Sequence, residues 1–252
     1  MQAYGKALAA IYSRIWSGFA KSFAPHVFEK AGGAPERSLL DLFCGTGRLC
    51  DYFLERGWEA LGLDASPGML AQAALENRRW IEKGLFSTVE ADASKFTLDR
   101  RFGFVTALFD AINHLPDEEA LAGCFAGAHA ALLPGGSFLF DVNTRRGLAS
   151  WSVLDIQDED DLYLVKRGLY VEEEDRAWLK IIGFHDRGGG NYERFDEVVW
   201  NRAWPVARLV ALLGRAGFEA VETLQPRPGL PAAFDPELED RVFVMARRPR
   251  GS

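Results

Sequence analysis

Cysteine, histidine and methionine are all scarce: the 252 residues hold three, four and three of them. Cys44, Cys50 and Cys124 make an odd set with no C-x-x-C spacing and no paired histidines. That argues against a disulfide framework and against a zinc site, so no metal is expected and a reduced, cytoplasmic setting is. Long apolar runs are missing too. No stretch approaches the ~20 residues that span a bilayer. The opening MQAYGKALAAIYSRIW has no apolar core ending in a small-residue cleavage site, so neither membrane insertion nor an export leader is expected. Positive charge is also short: 29 Lys and Arg stand against 36 Asp and Glu, a net charge of −7. A general nucleic-acid binder shows a basic face, whereas the basic residues here cluster only in short pairs such as Arg78-Arg79 and Arg145-Arg146. The remainder is ordinary for a globular chain, 48% apolar and 26% charged. It is long enough for one large domain, or one domain with an insertion.

The chemistry is concentrated in Leu39 to Leu49, LLDLFCGTGRL. Apolar residues surround one acid, a glycine turn follows, and a helical pattern begins. This is a buried strand running into a tight turn that opens a helix, the way α/β proteins cradle a nucleotide-like ligand. Asp41 lies close to where a dinucleotide's pyrophosphate would sit. A carboxylate there repels phosphate and attracts a cation such as the ammonium of an amino acid. The dinucleotide pattern G-x-G-x-x-G also fails, because Gly45 and Gly47 are followed by Cys50 at the third position. A second apolar run, Trp58 to Leu63, closes on Asp64, 17 residues after Gly47. An acid at about this spacing grips ribose hydroxyls in Rossmann-like folds. Ser66 reads as the N-cap of the next helix, with Pro67 at its first position. A third run, Phe86 to Glu90, leads into Ala91-Asp92-Ala93.

Asp41-Leu42-Phe43-Cys44-Gly45-Thr46-Gly47 resembles the first motif of the class I S-adenosylmethionine-dependent methyltransferases, written D-x-x-C-G-T-G in one large subgroup. Asp64-Ala65-Ser66-Pro67-Gly68-Met69-Leu70 is similar to the family's second motif, D-x-S-x-x-M-L. Leu132-Leu133-Pro134-Gly135-Gly136 resembles the L-x-P-G-G that leads into strand five. The resemblance covers roughly residues 35–144 and 204–248. It implies S-adenosylmethionine as cofactor and S-adenosylhomocysteine as product. The implied cofactor contacts are Tyr12, Asp41, Phe43, Gly45, Thr46, Gly47, Asp64, Ala65, Met69 facing the adenine, Asp92 with Ala93 reading it, and Phe109.

Strand-like runs fall at 38–43, 58–63, 85–90, 103–109 and 136–142, with helical patterns between them and a helical residue 1–33 segment before them. Pro205 to Ala216 reads as an amphipathic helix, Phe218 to Leu224 as a strand, and Arg241 to Ala246 as a last strand reached through a proline-rich loop. No helix fits between these two strands, so the last is expected to be antiparallel. The fold class is therefore α/β, a Rossmann-like seven-stranded sheet. Residues 1–144 and 204–252 are expected to form the core, with 1–33 as a helical lid. Residues 145–203 break the alternation: three successive strand patterns are joined by Glu172-Glu173-Glu174-Asp175 and Asp186-Arg187-Gly188-Gly189-Gly190-Asn191. They are expected to form a small antiparallel β insertion that covers the substrate site.

Methyl transfer from a sulfonium is an in-line displacement that depends on positioning and desolvation. Strand four ends in Asp110-Ala111-Ile112-Asn113-His114-Leu115, a loop that passes beside the methyl group in the resembled family. His114 is the candidate base, since a neutral imidazole can accept a proton near pH 7. Its alternative role is packing or capping the next helix. Asp110 and Asn113 are candidate substrate ligands, as are Tyr4 and the set Asn143, Arg145 and Arg146 after strand five. The loop lacks both the [DN]-P-P-[YF] and the Pro-Cys motifs of nucleobase methyltransferases. A small-molecule acceptor is therefore expected, methylated on nitrogen or oxygen, by a monomer or homodimer. Two alternatives stand beside it. A nicotinamide-dependent oxidoreductase would bind NAD. A non-catalytic S-adenosylmethionine-binding regulator would bind the cofactor without turnover.

Overall fold

The computed structural model describes residues 4–225 and 234–251. Its first helix, α1 (Lys6–Lys30), is followed by alternating elements: β1 (Ser38–Leu42), α2 (Arg48–Leu54), β2 (Glu59–Asp64), α3 (Pro67–Glu76), α4 (Arg78–Ile81), β3 (Phe86–Glu90), β4 (Phe102–Ala107), α5 (Glu118–Ala131), β5 (Leu132–Asn143) and the short α6 (Arg145–Ala149). Four strands then run in succession: β6 (Leu154–Glu159), β7 (Leu162–Val171), β8 (Arg176–Asp186) and β9 (Tyr192–Arg202). The chain ends with α7 (Val206–Arg215), β10 (Glu219–Leu224) and β11 (Arg241–Arg247). Pro226, Pro228 and Pro231 of the proline-rich loop lie outside the described residues.

The main sheet has seven strands in the order β10-β11-β5-β4-β1-β2-β3. All are mutually parallel except β11, which pairs antiparallel with both β5 and β10. Two apolar cores flank it, because successive side chains of a strand point to opposite faces. Leu39 joins α2 and the C-terminal half of α1 on one face, while Leu40 and Leu42 join α5 and α7 on the other. A strand covered on both faces reads as a continuous apolar run, which is why β1 and β4 were legible in the sequence. Chain order reverses between β1 and β4, and open α/β sheets bind ligands at the carboxyl ends of the strands at such a point.

The second sheet has four strands in the order β6-β7-β8-β9, all antiparallel. The sequence reading anticipated three of them. It missed β6, whose residues LDIQDE form a mostly exposed edge. An edge strand needs no apolar run, and this one carries acids at its end. The inner face of this sheet packs Leu164, Ile181, Phe195 and Val199 against Leu8 and Ile11 of α1. Helix α1 thus serves both layers, its N-terminal half on the small sheet and its C-terminal half on the large one.

Gly103 in β4 shows how closely the core elements approach. A Cβ built there would lie 2.0 Å from the carbonyl oxygen of Glu36. Backbone cannot yield as a side-chain tip can. Gly103→Ala is expected to destabilise the fold by roughly 1–3 kcal/mol, read as a lower urea midpoint at unchanged slope. An unchanged midpoint would contradict the packing described here.

Candidate functional site

The turn after β1 is held by its neighbours on every side. Phe43, Gly45 and Gly47 all have positive φ, at 57°, 53° and 73°. The last two are glycines, for which this region carries no Cβ penalty. A Cβ on Gly47 would also press on Asn77 Nδ2 at 2.8 Å. Asn77 Nδ2 itself donates to the carbonyls of Thr46 and Ala73, so one buried amide ties the turn to α3. Asp64, at the end of β2, closes the other side. One carboxylate oxygen accepts from the Gly45 N–H at 2.9 Å and the other from the Ser66 N–H at 2.8 Å. Burial pushes the Asp64 carboxyl up, opposed by those N–H groups. Ser66 caps α3 by accepting from the Met69 N–H, and its hydroxyl donates to the carbonyl of Tyr4.

A second turn follows β4. Phe109 and Asp110 lie in the left-handed region at φ 66° and 52°, a costly conformation for side-chain-bearing residues unless surrounding contacts impose it. Asp141 of β5 supplies those contacts. Its carboxylate accepts from the N–H groups of Phe109 at 2.6 Å and Asp110 at 3.2 Å. Arg241, the first residue of β11, bridges Asp141 and Asp110, reaching Asp110 at 2.9 Å. Asn201 of β9 donates to the other oxygen of Asp110 at 2.7 Å. Two further bonds tie this loop to β9: Asn113 Nδ2 donates to the Arg202 carbonyl at 2.8 Å, and His114 Nδ1 lies 3.1 Å from the Trp200 carbonyl. A carbonyl only accepts, so Nδ1 carries the proton and Nε2 is the basic nitrogen of the neutral ring. Burial pushes the His114 imidazole below its ordinary value of 6.5, which keeps it neutral at pH 7.

These two turns open onto one cavity of about 440 Å³, within the range of small-molecule sites. Helix α1 lines it with Tyr12, Ser13 and Trp16, Tyr4 just ahead of the helix adds a second phenol, and the small sheet contributes Lys166, Leu179, Ile181 and Val199. The rings of Tyr4 and Tyr12 lie 5.5 Å apart, and Tyr4 meets His114 edge-on at 6.3 Å. Burial raises both tyrosines well above their ordinary value, so they are neutral phenols. Ser13 Oγ and Thr46 Oγ1 share a hydrogen bond of 2.8 Å that links α1 to the turn.

Of the sequence-predicted site residues, Tyr4, Tyr12, Phe43, Gly45, Thr46, Asp64, Met69, Phe109, Asp110 and His114 line this cavity. The others stand elsewhere. Gly47 faces Asn77, Phe86 and Ala73, Ala65 is off the cavity wall, and Asp92 accepts from Ser94 while Ala93 is fully buried. Asp41 lies opposite Thr106 in the sheet, beneath the turn. It accepts from Thr106 Oγ1 at 2.6 Å and from the Cys50 thiol. Asn113 and Asn143 are paired through backbone and amide groups and join β5 to the loop. Arg145 pairs with Asp175, and Arg146 with Asp240 and the Leu238 carbonyl. Both guanidiniums are exposed and off the cavity wall, so position after strand five did not bring them to the substrate side. Sequence reasoning missed Ser13, Trp16, Lys166, Arg241 and the apolar residues of β8 and β9. The helical face shared by Tyr12 and Trp16 and the period-two alternation of the small sheet could have found all but Arg241, whose partners lie 100 and 131 positions away.

A Rossmann-like sheet whose first strand enters a glycine turn, with acids closing the next strands, defines a nucleoside-cofactor enzyme. Residues 39–136 match the methyltransferase domain family. The chain is 30% identical over 192 residues to YqeM of Bacillus subtilis (strain 168), a candidate methyltransferase by its name, covering 73% of this chain and 75% of that one. It is also 30% identical over 133 residues, 51% of this chain and 54% of the other, to dTDP-3-amino-3,4,6-trideoxy-alpha-D-glucopyranose N,N-dimethyltransferase of Streptomyces venezuelae. The crystal structure of an S-adenosylmethionine-dependent methyltransferase from Clostridium acetobutylicum ATCC 824 superposes with a TM-score of 0.81 at 22% identity, covering 96% of this chain and 98% of that one. This chain belongs to the class I S-adenosylmethionine-dependent methyltransferases. Among the described residues no helix is long and apolar enough to cross a membrane.

Burial raises the Asp41 carboxyl from 3.8 to about 7, against the hydrogen bonds from Thr106 and Cys50. The folded chain holds this proton to higher pH than the unfolded chain does. Stability from Asp41 is therefore complete below pH 3.8 and lost as pH rises toward about 7. Asp41→Asn keeps an acceptor for Thr106 and removes the titration. Its stability is expected to gain on wild type as pH rises from 4 to 7, measured by urea unfolding across that range. Parallel curves would contradict a buried, titrating Asp41.

Proposed function

We propose that this enzyme binds S-adenosylmethionine in the cavity and methylates an amine of a small molecule, with oxygen as the second candidate atom. The observation that carries the reading is the convergence on one cavity of the glycine turn, the Asp64 carboxylate and the His114 imidazole. The residues fit the cofactor. A Cβ on Gly45 would meet nothing within 4 Å, so the turn leaves open space at the cavity. Asp64 accepts from backbone N–H groups on both oxygens and lines the cavity, where its carboxylate would accept from ribose hydroxyls. Met69 would pack on the adenine. Tyr4 and Tyr12, as neutral phenols, would donate to the cofactor carboxylate or border the reacting methyl.

S-adenosylmethionine, held by the glycine turn and Asp64, would supply an electrophilic methyl for a lone pair of the acceptor. The protein's part is to free that lone pair and exclude water. An acceptor ammonium gives a proton to His114 Nε2, the ring nitrogen left basic by the bond at Nδ1. Asp110 lies on the same wall and favours a cation there. Nitrogen is further supported by the aminosugar N,N-dimethyltransferase among the relatives.

Two measurements test this reading. Calorimetric titration is expected to show binding of S-adenosylhomocysteine and not of NAD, with Asp64→Ala weakening it roughly ten- to a hundredfold. Binding of NAD, or of neither, would reopen the cofactor. With an acceptor in hand, kcat/KM of the wild type should rise with pH through the depressed His114 pKa. His114→Ala should lose that limb and roughly 10²–10⁴ in rate. Superimposable profiles would remove His114 as the base.

A further inference from the structure

The wall that the small sheet adds to the cavity has a definite chemical character. Its contribution includes Leu179, Ile181 and Val199, all apolar, continued by Trp151 and Val153 of the segment leading into β6. The cationic side chains lining the cavity among the described residues are Arg48, Lys166 and Arg241. Each is already neutralised. Arg48 pairs with Glu76 at 3.0 Å, Lys166 with Asp155 at 2.5 Å across the β6–β7 register, and Arg241 with Asp110 and Asp141. Asp64 lines the same space and is held by backbone N–H groups rather than by a cation. Counting the paired acids behind the wall, carboxylates outnumber cations, and His114 adds no charge while neutral. A concave site of one sign with low-dielectric walls focuses its field and selects ligands of the opposite sign.

Resting on the methyltransferase reading above, we propose that the acceptor is an amine carried on an apolar, uncharged framework, and that acceptors bearing phosphate or carboxylate are excluded. The apolar body lies on Leu179, Ile181 and Val199, and the ammonium turns toward Asp110 and His114. A nucleoside-diphosphate sugar would have to displace Asp155 from Lys166 or Asp110 from Arg241. Either exchange leaves a carboxylate unpaired beside the incoming phosphates, most unfavourably at the mostly buried Asp110, and like charges brought together there oppose binding. The specificity inferred here thus differs from that named for the dTDP-sugar relative. The side chains that set it, Leu179, Ile181, Val199 and the Lys166–Asp155 pair, all belong to the second sheet.

The test uses the full chain saturated with S-adenosylhomocysteine and three probes: 2-phenylethylamine, 3-phenylpropionate and thymidine diphosphate. Calorimetry is expected to show 2-phenylethylamine binding at least about tenfold tighter than either anion. Leu179→Gln should weaken the amine several-fold while leaving S-adenosylhomocysteine affinity and melting temperature near wild type, and Leu179→Ile should restore amine binding. The proposal is overturned if thymidine diphosphate or 3-phenylpropionate binds as tightly as the amine, or if the amine does not bind the loaded protein. It is overturned equally if Leu179→Gln leaves amine affinity unchanged. A failure of S-adenosylhomocysteine to bind in the preceding titration is a separate result: it overturns the cofactor reading, and this proposal with it.

Discussion

The cluster of Arg241, Asp141 and Asp110 is the interaction on which the rest of the site depends. Arg241 stands opposite Asn143 in the β11–β5 register, and its guanidinium reaches along β5 to Asp141, which is fully buried. Burial pushes the Asp141 carboxyl up, and the guanidinium opposes it. Buried ion pairs gain little over an apolar replacement, but removing one partner is costly because the other charge is left uncompensated. The cluster also has a task that an apolar core could not perform. Asp141 holds the N–H groups of Phe109 and Asp110 in a backbone conformation that neither side chain favours. The antiparallel last strand is therefore more than the completion of a sheet. It delivers the cation that lets the loop after β4 bend toward the cavity.

The small sheet is joined to that loop, not merely laid over it. Trp200, Asn201 and Arg202 of β9 meet His114, Asp110 and Asn113 in turn. Helix α1 is joined to the same strand, since the Gly5 N–H donates to both oxygens of Glu197. Arg14 reaches Glu159 and Asp161 at the β6–β7 turn. The glycine turn, the loop carrying His114 and the apolar wall of the small sheet are thus parts of one bonded frame. A substitution in β9 should be felt at His114 through the backbone carbonyl that fixes its tautomer.

Much of this was legible in the sequence, for identifiable reasons. Strands buried on both faces print continuous apolar runs, and the turns at Gly45 and Ser66 use residues chosen by local backbone chemistry. Tyr4, Tyr12, Asp64 and His114 reach the cavity from such local patterns. Residues whose role is set by distant partners were not legible. Asp41 has the right type for a ligand contact, yet the strand register puts it opposite Thr106 and beneath the turn. Asn113 looked like a substrate ligand and is a backbone staple. Arg145 and Arg146 looked like substrate ligands, but acids from other segments, Asp175 and Asp240, take them. Arg241 carries no local signal at all.

The central claim is that the buried cluster positions the cavity-forming loop. The direct measurement is S-adenosylhomocysteine affinity and urea stability of Arg241→Met beside wild type. The account predicts a stability loss of about 3–5 kcal/mol, and cofactor affinity lowered at temperatures where the variant is still folded. Unchanged affinity in a variant as stable as wild type would contradict it.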